Sequence, residues 1–290
     1  MSRDIEMECS EDIRDNEGGG HKHSSHPSHP SDGDAGVWLG IDVGGTSIKG
    51  AIVDLGIGGL TRQVLTERTP PTATPGDVVA AIRRIAAAMQ WTGPVGVALP
   101  GMISGSSLRH APNLCPSWGQ ADALTSLRAP NGGNAVLIND ADAVGLAELA
   151  YGDAGLNGSG LTIVLTFGTG IGSALLYNGD LIADSELGGL SGARGRFEEV
   201  ASGRSISTES LTAVEWAGRA QPFFDELQAI LNPSRWVVGG GLSDDFEKFA
   251  SELELATPIS AARGGVHAGI VGAAVAACGA SMGAGNPLSP

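Results

Sequence analysis

Aromatic side chains are scarce in this sequence, at 4% of 290 residues, which argues against an aromatic-packed binding surface. Cysteine is scarcer still. Cys9, Cys115 and Cys278 are odd in number and far apart, so neither a disulfide framework nor a Cys-x-x-Cys metal knuckle is available, and the three are read as reduced thiols. No apolar run reaches the length needed to cross a bilayer, and the amino terminus is too acidic to read as a signal or transit peptide. The expectation is a cytoplasmic protein with no membrane association. Positive charge is short as well: 17 Lys and Arg stand against 32 Asp and Glu, a formal charge of −15. Nonspecific nucleic-acid binding needs a basic surface and is excluded on that ground. Any polyanionic ligand must find a local basic track.

What the chain has in abundance is glycine, 45 residues, and with it many tight backbone turns. Its length allows two lobes of ordinary size, each with a core. Residues 1–36 are polar, acidic (nine acids against three bases) and rich in Gly, Ser, Pro and His, too poor in apolar residues to offset the entropy of ordering them. They read as a disordered His-rich acidic tail. Its cluster of His21, His23, His26 and His29 is either a weak metal ligand or simply solvated.

The ordered chain is expected to begin with two β-rich runs in residues 38–54, separated by a Gly-Gly-Thr turn, which is a hairpin signal. A third strand is expected at 62–67, a helix at 77–90 with Asp77 as N-cap, and an apolar strand at 94–99. A strand at 135–138 runs into Asn139-Asp140 and a helix ending at Tyr151, with Gly152 suited to its C-terminal cap. Residues 161–178 repeat the opening pattern around Gly168-Thr169-Gly170. Setting Gly44 on Gly168 also sets Ala51-Ile52-Val53 on Leu175-Leu176-Tyr177, which suggests two lobes built on one plan. Further on, a helix is expected over 213–231, a strand at 236–238 ending in Gly239-Gly240-Gly241, a helix at 242–251, a short strand near 258–260 and a small-residue helix over 267–277. The lobes are placed at 37–139 and 140–290. The last helix, about 266–279, is a candidate to pack back on the N-terminal lobe.

Two constellations carry chemistry. Glycine turns expose consecutive backbone N–H groups and let a phosphate approach where no Cβ stands in the way. The turn at Gly44, Gly45 and Thr46 is therefore a candidate phosphate cradle or merely a turn, and two further glycine turns, Gly168-Thr169-Gly170 and Gly239-Gly240-Gly241, each ending an apolar strand, favour the cradle. Asp42 beside it can hold Mg²⁺ directly or through water. The second constellation is Asn139-Asp140 at a strand-to-helix junction, where α/β proteins place ligands. Asp140 either takes the proton of an attacking hydroxyl, caps the following helix, or does both.

The runs Asp42-Val-Gly-Gly-Thr46, Asn139-Asp-Ala-Asp142, Leu165-Thr-Phe-Gly-Thr-Gly-Ile-Gly172 and Glu186-Leu-Gly188 resemble those of the ROK (repressor, open reading frame, kinase) sugar kinases, over about residues 37–278. Ala111-Pro-Asn-Leu-Cys-Pro-Ser-Trp118, Glu215-Trp-Ala-Gly218 and Ala268-Gly-Ile-Val-Gly-Ala-Ala274 are most similar to the polyphosphate glucokinases of that family. The resemblance implies an α/β fold of the two-lobed, actin-like (ribonuclease H-like) kind with a central interlobe cleft. It also implies transfer of a phosphoryl group from polyphosphate or ATP to the 6-hydroxyl of glucose, with Mg²⁺ and a homodimer. By it Asp140 is the general base and Asn113, Asn139 and Glu186 bind the sugar. By it also Asp42, Gly44, Gly45, Thr46, Lys49, Thr169 and Gly170 bind the phosphate donor; the glycine-turn reading adds Gly240 to that set and makes Asp42 the metal ligand.

The sequence departs from the family at Gly189, where most members carry a histidine that touches the sugar and often binds structural zinc. With no cysteine cluster downstream, zinc is not expected. The segment 190–210 is richer in Gly and Ser and poorer in helix signal than a sugar site leads one to expect. The alternatives are an ATP-dependent glucokinase or other hexose kinase, and a weakened sugar-sensing pseudo-kinase. A transcriptional regulator of the same family would need an amino-terminal helix-turn-helix, and the first 36 residues are too short and polar to supply one.

Overall fold

The computed structural model describes residues 36–109, 111, 114–120, 122–127, 135–152 and 160–282. The expected tail, its histidines and Cys9 lie outside the described residues, Gly36 apart. In chain order the first half contains β1 (Val37–Val43), β2 (Ser47–Asp54), β3 (Gly59–Leu60), β4 (Leu65–Arg68), α1 (Pro75–Ala88), β5 (Val95–Leu99), β6 (Met102–Ser104), β7 (Ser107–Arg109), β8 (Ala135–Asn139) and α2 (Asp140–Tyr151). The second half contains β9 (Leu161–Phe167), β10 (Ile171–Tyr177), β11 (Asp180–Ile182), β12 (Ser191–Gly192), β13 (Gly195–Arg196), α3 (Phe197–Val200), α4 (Gly203–Glu209) and α5 (Ala213–Leu231). It closes with β14 (Arg235–Gly240), α6 (Phe246–Ala250), β15 (Ile259–Ala261) and α7 (Ala268–Ser281).

One plan is used twice. In the first sheet β2 and β1 form an antiparallel hairpin, and β5 and β8 add in parallel, giving the order β3-β2-β1-β5-β8 with β4 also on β2. The second sheet runs β11-β10-β9-β14-β15, again a hairpin followed by two parallel strands. The expected alignment of Gly44 with Gly168 is therefore a strand-for-strand match. Crossover helices cover the outer faces, because parallel strands can be joined only by long connections. Helix α1 lays Val78, Ile82 and Ile85 against the first sheet, and α5 lays Trp216, Phe223, Phe224 and Leu227 against the second. The few aromatics are concentrated there: Phe224 packs edge-on against Trp236 and Phe167 against Trp216.

The two remaining long helices hold the sheets together. Helix α7 is apolar on every side, which a helix can be only when buried all round. It follows the last strand of the second sheet yet lies on the first. Gly40 of β1 and Gly96 of β5 come so close that a Cβ on either would overlap the carbonyl oxygens of Ile270 and Ala273. Helix α2 does the reverse, following β8 but resting Gly145 on Ala174 and Leu176 of β10. Each sheet thus packs against a helix contributed from the other half.

Three expectations need correction. Thr74, not Asp77, is the N-cap of α1, and Asp77 is its capping-box partner three residues on; Pro75 with its fixed φ takes the first helical position, so the helix starts before Asp77 and the cap falls on Thr74. Gly239 and Gly240 do not form a turn. They continue β14 beside Thr166 and Phe167, and the expected helix at 242–251 is a 3₁₀ segment, Gly241–Asp245, followed by the short α6. The segment 190–210, expected to be weak in helix, contains α3 and α4, the second capped by the Ser202 hydroxyl through the N–H of Ser205.

Candidate functional site

The two hairpin turns present their glycines at corresponding ends of β1 and β9. In the first, Gly44 N–H donates to the Ser47 carbonyl at 2.9 Å. Thr69 clamps the turn from outside, its hydroxyl donating to the Gly44 carbonyl at 2.6 Å and its N–H to that of Thr46 at 3.0 Å. Gly45 and Thr46 are left exposed, as a backbone anion cradle requires. Lys49 sits opposite Asp42 in the β1–β2 register. In the second turn Gly168 N–H donates to the Gly170 carbonyl at 3.0 Å, and the Gly168 carbonyl accepts from Arg204 N–H at 2.9 Å, so α4 braces it. Gly240 belongs to a different structure. Its φ is +74° and a Cβ there would stand 2.8 Å from the Phe167 carbonyl oxygen, so close approach of β14 to β9 demands glycine, independently of any phosphate.

Asp140 opens α2 without capping it. Asn139 is the cap: its Oδ1 accepts from the N–H groups of Ala141 at 2.9 Å and Asp142 at 3.0 Å. Asp140 is the first helical residue, its Oδ1 accepting from the shared Ala141 N–H, also at 2.9 Å, and its carboxylate also from its own N–H. The division leaves most of the Asp140 carboxylate uncommitted. Burial, then the neighbouring charge of Asp42, push its carboxyl up to about 7, against the Ala141 N–H. Asp42 is itself pushed up by burial, with Lys49 opposing. Glycine at 172 keeps β10 open beside Asp140, whose Oδ1 lies 3.8 Å from where a Cβ would be. Asn139 is 3% exposed, and its Nδ2 donates to the Gly101 carbonyl at 3.2 Å. One amide hydrogen then remains beyond those three bonds.

Glu186 enters from the segment after β11. Burial, then the charges of Asp140, Glu198 and Asp184, raise its carboxyl to about 7, and Arg196 alone pulls it down. Arg196 pairs with Glu198 at 2.5 Å. The segment is fixed to β10: Ser173 Oγ accepts from Leu187 N–H at 2.9 Å, and Ser185 Oγ donates to the Ser173 carbonyl at 2.8 Å. Gly189 closes a 3₁₀ turn, Leu187–Gly189, with its N–H on the Glu186 carbonyl at 3.2 Å and no positive φ. A pocket of about 330 Å³ opens beside the second turn, lined by Thr169, Gly170, Arg196, Glu198, Ser202 and Arg204 among others.

Asp42, Asp140, Glu186, Glu198 and the two turns thus converge from separate elements. Asn113 lies outside the described residues. Four residues that sequence reasoning did not assign join the cluster: Asp142, Asp184, Arg196 and Glu198. Asp142 stood inside a quoted run, but nothing in its spacing distinguishes a buried carboxylate from a solvated one. Arg196 and Glu198 were hidden in the Gly- and Ser-rich stretch. A divalent cation fits beside Asp42, whose repulsion with Asp140 it would relieve; Mg²⁺ commonly binds one or two carboxylates and completes its shell with substrate phosphates and water. Among the described residues no group of three or more His, Cys, Asp or Glu could hold a metal on its own. No helix among them is long and apolar enough to cross a membrane.

The pattern of the ROK family matches residues 38–215. A polyphosphate glucokinase of Mycobacterium tuberculosis is 41% identical over 239 residues, spanning 82% of this chain and 90% of its own. That of Mycobacterium leprae is 40% identical over 82% of this chain and 74% of its own. Among solved structures, an inorganic polyphosphate/ATP-glucomannokinase from Arthrobacter sp. strain KM superposes with a TM-score of 0.78 at 38% identity, covering 82% of this chain and 97% of that one. A ROK family glucokinase from Streptomyces griseus, solved with glucose and AMPPNP, superposes at 0.71 and 24% identity, covering 84% and 99%; at that identity it speaks for the fold, which is two-lobed and actin-like.

Proposed function

This chain belongs to the ROK family, and from that premise we propose that Asp140 is the general base of a glucokinase reaction at the carboxylate cluster. The protein is a glucokinase that draws on polyphosphate or ATP. In the proposed step Asp140 takes the proton of the glucose 6-hydroxyl while that oxygen bonds to the terminal phosphorus of the donor. The bond from that phosphorus to the bridging oxygen breaks, and the shortened polyphosphate or ADP leaves with the electron pair. The observation that carries the reading is the division between Asn139 and Asp140: the amide caps α2, and the neighbouring half-buried carboxylate stays available, its carboxyl raised to about 7.

Around that base, Asn139, Glu186 and Asn113 are assigned to the sugar, and the turns at Gly44-Gly45-Thr46 and Thr169-Gly170, with Lys49, to the donor. Mg²⁺ held by Asp42 would neutralise charge on the donor phosphates. The β8–α2 junction at Asn139 and Asp140 supports lobes at 37–139 and 140–290, and the seat of α7 on β1 and β5 supports its return to the N-terminal lobe. A cytoplasmic homodimer is proposed on the family resemblance. As to the donor, Arg84 is committed to Glu67 through Nε at 3.0 Å; Arg204 shares the pocket beside Thr169 and Gly170 with Arg196, which is paired with Glu198. Glucose phosphorylation with ATP and with polyphosphate, measured side by side on purified protein, tests the reading. Product with at least one donor is expected, and none with either would overturn it.

A further inference from the structure

We propose that Asp142 and Asp184 form a positioning pair that ties the Glu186 segment to the β6–β7 hairpin and so sets the affinity for the acceptor sugar; the inference rests on the reading of Glu186 given above. Asp142 lies in the first turn of α2, 1% exposed, and its Oδ2 accepts from the Asp184 N–H at 2.7 Å. Asp184 in turn accepts, through Oδ1, from the N–H of Ile103 in β6 at 2.9 Å. Three segments distant in sequence are thereby joined in line. Asp184 holds a φ of +59°, a conformation that Asp and Asn tolerate better than other side-chain-bearing residues. That turn lets its N–H face α2 while its carboxylate reaches the hairpin.

Each end of the tie leads to the acceptor side of the site. Two residues beyond Asp184 is Glu186, pinned on its other flank by Ser173. At the other end Asn139, assigned above to the sugar, donates to the Gly101 carbonyl just before β6. The donor turns at Gly44 and Gly168 take no hydrogen bond from either aspartate. Asp142 Oδ1 is buried with no partner among the described residues, a cost that a tie of purely structural purpose would avoid with a neutral side chain. The charges of Asp184, Asp140 and Glu186 all bear on Asp142, which places it beneath the carboxylates of the site.

Asp184→Ala and Asp184→Asn in the full chain test the tie. Alanine loses the acceptor for Ile103 and the tolerance of left-handed φ, whereas asparagine keeps both. Loss of one net hydrogen bond corresponds to about two- to tenfold in affinity. Asp184→Ala should raise the KM for glucose by about that factor, leave kcat and the donor KM within about twofold, and speed amide exchange at Ile103; Asp184→Asn should restore all of these. An unchanged glucose KM in Asp184→Ala, or an equal loss in kcat and donor KM, overturns the proposal. Should the wild-type protein fail to phosphorylate glucose, the reading of the site falls by itself, and Ile103 exchange still decides the tie: unchanged protection in Asp184→Ala rejects it.

Discussion

Gly272 of α7 and Ala143 of α2 meet backbone to backbone, so close that a Cβ on Gly272 would overlap the Ala143 carbonyl oxygen. The contact lies where the two central helices cross, each carrying the load of the opposite sheet. Neither partner can retreat, since α7 is equally tight against β1 and β5 at Gly40 and Gly96. Overpacking of this kind costs about 1–3 kcal/mol and more where backbone must move. Gly272→Ala is expected to lower the melting temperature by several degrees and to reduce kcat, because α2 carries Asp140. Gly218→Ala, on α5 with nothing within 4 Å of the new Cβ, is the control and should do neither.

Asp140→Asn is expected to keep the fold and glucose binding while cutting kcat by about 10² to 10⁴, the usual cost of losing a general base. The amide preserves shape and still accepts from Ala141 but cannot take a proton. Retention of more than about a third of wild-type kcat would remove Asp140 from that role.

The raised carboxyl of Asp142, pushed to about 7 mainly by burial, makes a signed prediction about stability. A carboxyl whose folded pKa exceeds its unfolded value binds its proton more tightly when folded. Its stabilising contribution is full below about pH 4 and disappears as pH rises through about 7. Asp140 and Glu186 share the direction. Melting temperature should therefore fall between pH 5 and pH 8, and Asp142→Asn, neutral at every pH, should flatten the fall. Equal slopes in the two proteins would count against a raised Asp142.

Gly189 tests how a sugar is held without the family's histidine. The 3₁₀ backbone there has no positive φ, so a larger residue meets no conformational penalty of that kind. One added hydrogen bond to a sugar hydroxyl is worth roughly 0.5–1.5 kcal/mol. Gly189→His should accordingly lower the glucose KM by up to about tenfold. A well-folded variant with an unchanged or higher KM would mean that the acceptor is bound in another way.

Local signals in the chain were sufficient for the hairpins, for α5 and for the Gly44–Gly168 repeat, because apolar runs around glycine turns, and a long amphipathic stretch, are decided within a few residues. The motif at 139–140 was legible for the same reason. Which of the two residues caps α2 was not: both side chains can accept from Ala141, and the choice came from burial of Asn139 against Gly101, 38 residues away. Likewise Gly239-Gly240 read as a turn until the approach of β14 to β9 made them strand. The gathering of Asp42, Asp140, Asp142, Glu186 and Glu198, and the shifted protonation it brings, belongs wholly to tertiary structure. A carboxylate's pKa depends on the water and charge around it, and those are supplied by segments that the chain brings together only on folding.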